Sequence, residues 1–177
     1  MDFTNVEEVL TKYGKYVVQQ AKSNLTKDNK GSGALYESVK YILETDPDMF
    51  LLDFLMEDYG IYVDEGVKGA NPSLIKNGIQ KAPKSKFKYT NKMPPMQILA
   101  NWAKTKNIRF RNAKGQYSKG SNRSMGFVLQ KSIFAQGLKP NYFFTKPFYK
   151  GLKTLNPELA KSFALDIENA IILGQKK

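Results

Sequence analysis

The chain has 177 residues, 41% of them apolar, and carries 28 Lys and Arg against 16 Asp and Glu, a net charge of +12. It contains neither Cys nor His, which excludes disulfides, thiolate and imidazole metal ligands, and histidine-based acid–base or serine-triad catalysis. Length and apolar content fit one folded domain, 1–177, with one core, and the longest apolar stretch, Met49 to Met56, is broken by Asp53 and far shorter than the ~18 residues that span a bilayer.

Met1-Asp2 opens directly into an amphipathic acidic segment, so no leader is expected. Thr4-Asn5-Val6-Glu7 has the form of a capping box. After it Val6, Val9, Leu10, Tyr13, Val17 and Ala21 recur at helical spacing, predicting a helix from about Asn5 to Asn24. Thr26 to Gly33 is polar and reads as a loop. Its Gly31-Ser32-Gly33 lacks the strand and further glycines of a phosphate cradle.

Val39–Leu43 and Met49–Met56 flank Asp46-Pro47-Asp48 and predict a β-hairpin. Phe50, Leu52, Phe54 and Met56 form its inward face, opposite Leu51, Asp53 and Leu55. Tyr59 to Asp64 continues as a short helix or turn ended by Gly66. Residues 67–93 and 107–123 read as extended basic loops, the second with a hairpin around Ala113-Lys114-Gly115. Between them Met96 to Lys106 is a predicted helix with Ile98, Leu99, Trp102 and Ala103 inward, so that Trp102 belongs to the core. Met125 to Gln136 is another, with Val128, Leu129, Ser132 and Ile133 inward and Gly137 as its stop. Asn156-Pro157 is read as the start of a last helix with the stripe Leu159, Phe163, Ile167 and Ile171, ended by Gly174. The fold class is α+β: a small antiparallel sheet packed against N-terminal, central and C-terminal helices.

Charge is unevenly spread along this order. Residues 1–66 hold 13 acids and 6 bases, whereas residues 67–157 hold 19 bases and no acid. Such a split suits a surface that meets negative charge, either nucleic acid or the acidic face of an identical neighbour.

The carboxylates Asp46, Asp48, Asp53, Glu57, Asp58, Asp64 and Glu65 could in number serve a Mg²⁺-dependent nuclease. That chemistry needs Lys two residues after Glu on a strand. Glu65-Gly66-Val67-Lys68 places it three on, across a strand-breaking Gly. A solvated or subunit-facing acidic surface is the better reading, with no metal, no cofactor and no catalytic residue.

Lys84, Lys86 and Lys88 alternate with Phe87 and Tyr89, and Arg109 and Arg111 flank Phe110, with Lys114 close by. Bases interleaved with aromatics occur in single-strand binders. Only three of the bases are Arg, and Lys acts on phosphate as a point charge rather than a bidentate reader of base edges. Contact with DNA would then be sequence-blind and salt-dependent. A sequence-nonspecific nucleic-acid-binding protein is therefore the alternative reading. The other is assembly: one acidic and one basic end are complementary head to tail, and such heterologous contacts close into rings.

Four segments in order carry a family resemblance. They are Gly33-Ala34-Leu35-Tyr36-Glu37-Ser38-Val39, Tyr59-Gly60-Ile61-Tyr62-Val63-Asp64-Glu65-Gly66 with Gly69 beyond, Ile98-Leu99-Ala100-Asn101-Trp102-Ala103-Lys104, and Gly137-Leu138-Lys139-Pro140-Asn141-Tyr142-Phe143-Phe144. Over roughly residues 5–172 the chain resembles the neck and tail-completion proteins of tailed bacteriophages. The resemblance implies a structural virion protein, assembled in the host cytoplasm into a ring of six or twelve copies. It sits at the head–tail junction or tail end, beside portal, neck or tail proteins, with packaged DNA in the lumen and no membrane. It places Tyr59, Tyr62, Asp64, Glu65 and Gly66 in the central signature and subunit interface, while Lys84, Lys86, Lys88, Arg109, Arg111 and Lys114 are candidates to face DNA from the charge pattern alone.

Overall fold

A computed structural model describes residues 3–27, 33–46 and 49–175. Its order of elements is α1 (Thr4–Lys27), α2 (Ala34–Ser38), β1 (Lys40–Asp46), β2 (Met49–Leu55), α3 (Gly60–Glu65), β3 (Val67–Lys68), α4 (Met96–Thr105), α5 (Asn122–Gln136), β4 (Gly137–Leu138) and α6 (Thr145–Gln175), with a 3-10 turn at Pro72–Leu74. The class is α+β, as expected from the sequence. The chain divides into two compact units, the first formed by residues 1–60 and 142–177, the second by 61–141.

In the first unit α1 and α6 run antiparallel and the β1–β2 hairpin lies against α1. Val6, Leu10, Tyr13 and Val17 of α1 pack on Leu155 of α6, with Leu43, Phe50, Leu52 and Phe54 closing the core from the sheet. Each fully buried side chain of this size contributes about 1.5–3 kcal/mol. The register Tyr41↔Phe54, Leu43↔Leu52, Thr45↔Phe50 puts the expected residues inward, because a strand alternates its faces. A two-stranded ribbon is marginal alone, and this one is held by Phe54, which makes edge contacts with Tyr13, Phe144 and Phe148. The turn residues Pro47 and Asp48 lie outside the described residues, as do Gly31 and Ser32.

Two expectations are corrected in this unit. The last helix does not begin at Asn156-Pro157. α6 is one helix of 31 residues with Pro157 inside it. Asn156, Pro157 and Lys153 all face solvent, so water can take the carbonyl that Pro157 leaves without a donor. The inward stripe also differs: Gly151, Leu155, Ser162 and Asp166 are buried, while Phe163 and Ile171 are 49% and 56% exposed. Asp166 explains the shift. Its Oδ1 accepts from Asn5 N at 3.2 Å and Asn5 Nδ2 at 2.6 Å, and its Oδ2 from Val6 N at 3.0 Å. The first amides of α1 thus find a carboxylate 160 residues away, and the helix already starts at Thr4, with Glu7 N donating to Phe3 O.

In the second unit α4 and α5 pack through small residues. A Cβ on Gly126 would lie 2.8 Å from Ala100 Cβ and 2.9 Å from Met96 O, so the two backbones touch. Ala100 and Ala103 are the buried positions of α4, and Met125, Gly126 and Ala135 those of α5. The predicted inward residues Ile98, Trp102 and Val128 are instead exposed, at 65%, 43% and 47%. Ala and Gly win the interface because only they permit that approach. Gly137 ends α5 as expected, at φ +89, its N–H donating to Ile133 O.

Candidate functional site

The central signature folds as a helix that stops abruptly. Gly66 has φ +73, and a Cβ there would stand 2.6 Å from Leu138 O and 2.7 Å from Pro140 N. Both the dihedral and the space require glycine. The turn delivers Val67 and Lys68 into pairing with Leu138 and Gly137. On its other side Lys68 N donates to Phe87 O and Tyr89 N donates to Lys68 O. Asn141 N donates to the carbonyls of Val63 and Asp64, closing the end of α3.

Residues 67–93 contain little regular structure, yet they are tied down. The Gln80 side chain acts as a strand mimic: its Oε1 accepts from Gly69 N at 2.6 Å and its Nε2 donates to Gly69 O at 3.2 Å. Ser85 is buried, donates to Gly66 O at 2.7 Å and accepts from Phe87 N. These two polar residues fix the basic run against the signature turn. The sequence marked neither, since Ser and Gln among lysines look like solvated loop.

The consequence is that two groups read separately in the sequence meet. Glu65 pairs with Lys86 at 2.9 Å. Tyr62, 44% exposed, meets Phe87 edge to face at 4.7 Å, and the Lys86 ammonium lies 5.1 Å from the Phe87 ring. Asp64 is buried and Tyr59 exposed. Lys84 and Lys88 are exposed, and Lys88 shares an isolated bridge with Lys68. Burial raises the Tyr89 phenol above its ordinary pKa.

Arg109, Arg111 and Lys114 belong to a second local structure. Arg111 bridges Tyr117, and Asn112 N donates to Gln116 O, so the stretch around Gly115 is a small hairpin. Both guanidiniums lie over the Tyr117 ring, at 5.8 Å for Arg109 and 4.8 Å for Arg111. Arg111 also donates to Gly115 O and Tyr117 Oη, and all three basic side chains are exposed. Among the described residues no hydrogen bond, ion pair or ring contact joins this hairpin to the Lys84–Lys88 run. The described residues also contain no cluster of three or more acids able to hold a metal, and no helix long and apolar enough to cross a membrane.

Charge separates along the division into units. Residues 61–141 carry 16 bases and 2 acids, net +14; residues 1–60 with 142–177 carry 12 bases and 14 acids, net −2. The two acids of the second unit, Asp64 and Glu65, are respectively buried and paired with Lys86. Comparison with family models, with curated proteins and with solved structures gave no match.

Proposed function

We propose that the chain is a structural virion protein of a tailed bacteriophage. Copies form a ring at the head–tail junction, as neck or tail terminator, joining portal and capsid to tail while DNA passes through the lumen. The protein's role is mechanical, not catalytic. The observation that carries this reading is the concentration of positive charge in one of the two compact units. With +14 on one unit and −2 on the other, contact between unlike units of neighbouring copies is favoured over contact between like units. Exposed apolar side chains on both units, among them Ile42, Leu51, Ile98 and Trp102, supply the desolvating part of such contacts.

Negative-stain images of the purified chain at low ionic strength test the proposal. Closed annuli of uniform diameter with a central hole are expected; isolated particles or open filaments would count against it. Mg²⁺-dependent cleavage of DNA, abolished by Asp64→Ala, would overturn it.

A second reading has an observation of its own. The Tyr117-stacked arginines and Lys114 offer exposed cations on a small hairpin, as a sequence-nonspecific nucleic-acid binder would need. Tight duplex binding by the monomer at near-physiological salt, weakened by neutralising Lys84, Lys86 and Lys88, would favour this reading over the ring.

A further inference from the structure

Resting on the ring reading above, we infer that the outer face of the β1–β2 hairpin of one copy covers the Ile98–Trp102 face of α4 in the next. The outer face follows from the register: Lys40↔Leu55, Ile42↔Asp53, Glu44↔Leu51 and Asp46↔Met49. Ile42, Met49, Leu51 and Leu55 are 41%, 54%, 38% and 39% exposed. That is an apolar strip of unusual density for a solvent face. Three carboxylates, Glu44, Asp46 and Asp53, rim it against the single base Lys40.

The α4 face has the opposite character. Ile98 and Trp102 stand one turn apart and point away from the small-residue contact with α5, and Lys104 and Lys106 follow them with no acid anywhere on the helix. No carboxylate of the second unit is free to serve these lysines, because Asp64 is buried and Glu65 already holds Lys86. A second copy supplies both what the apolar residues need to leave water and what the lysines need as counter-charge. Hairpin on hairpin would crowd Glu44, Asp46 and Asp53 against themselves, and α4 on α4 would do the same to lysines. The contact is therefore heterologous, the kind that propagates to closure. Trp is also among the side chains enriched at the energetic anchors of protein interfaces.

Two properties of the chain make this testable. It has one Trp and no Cys, so Trp102 reports its own burial and engineered thiols are the only thiols. Asp53 and Thr105 are exposed, so replacing them leaves the fold intact. Oxidation of the Asp53→Cys, Thr105→Cys double variant under assembly conditions is expected to give a covalent ladder up to the ring's copy number, and each single variant nothing beyond a dimer. Trp102 emission is expected to move to shorter wavelength on assembly. Asp53→Lys is expected to abolish assembly, and adding Lys106→Glu to restore it. Rings that form without ladder or emission shift would overturn this contact and leave the ring reading standing. A disulfide closed within the monomer would overturn it too. A chain monomeric at every concentration and salt would overturn both.

Discussion

Asp166 shows how much one side chain can decide. Burial alone would raise its pKa, but hydrogen bonds from Asn5 Nδ2, Val6 N and Asn5 N outweigh that and hold the carboxyl below its ordinary range. The positive end of α1 acts in the same direction. A depressed folded-state pKa means stabilisation that is complete above about pH 4 and is lost as pH falls through the folded value. In thermal melts the gap between wild type and Asp166→Asn should be widest near neutrality and close on acidification; a gap independent of pH would contradict this. The Tyr13 phenol, pushed up to about 12 by burial and donating to Phe148 O at 3.0 Å, should stay protonated throughout that range. Gly66→Ala should cost at least about 2 kcal/mol, since a positive φ and a backbone clash coincide there; a melting temperature equal to wild type would refute that account. Gly66 was legible because a glycine after a short amphipathic run has a backbone reason to be there. Asp166 was not: a lone Asp between apolar stripe positions looks like solvent face, and its partners are 160 residues distant.

At the level of elements, what could be read was what depends on local period. The α1 stripe, the inward parity of the hairpin, the stop at Gly137 and the short helix before Gly66 each follow from spacing within a few residues. Helix faces in the second unit were only partly legible, with Ala103 inward as expected, because the choice between Ile98–Trp102 and Ala100 is made by a partner helix, not by hydrophobicity. The close approach at Gly126 favours the smaller pair and turns the larger outward. The break predicted at Pro157 failed for a similar reason: packing of α6 along α1 on both sides of the proline outweighs one solvated carbonyl. Gly126→Val should therefore destabilise by roughly 1–3 kcal/mol. Trp102→Ala should cost the monomer under about 1 kcal/mol yet markedly weaken self-association. Denaturant melts paired with sedimentation separate the two effects, and a Trp102→Ala variant that unfolds readily would restore Trp102 to the core. Within the site, the basic run and the signature turn were each visible, but their meeting through Ser85 and the Glu65–Lys86 pair was not, since neither contact has a sequence spacing to announce it.

For the whole molecule the decisive feature is where the charge lies. The 19 bases of the acid-free run could have been shared evenly between the two compact units; instead 16 fall in one and only Lys146, Lys150 and Lys153 in the other, and the basic unit's own two acids are already committed. Pairing of the hairpin carboxylates with the α4 lysines is local and screened by salt, whereas the apolar strips need no counter-charge. Assembly should thus loosen as salt rises. Native mass spectrometry of the full chain across a salt series tests this most directly. The account predicts a single ring stoichiometry at low salt that gives way to monomer as salt increases; a two-fold dimer whose population is indifferent to salt would contradict it.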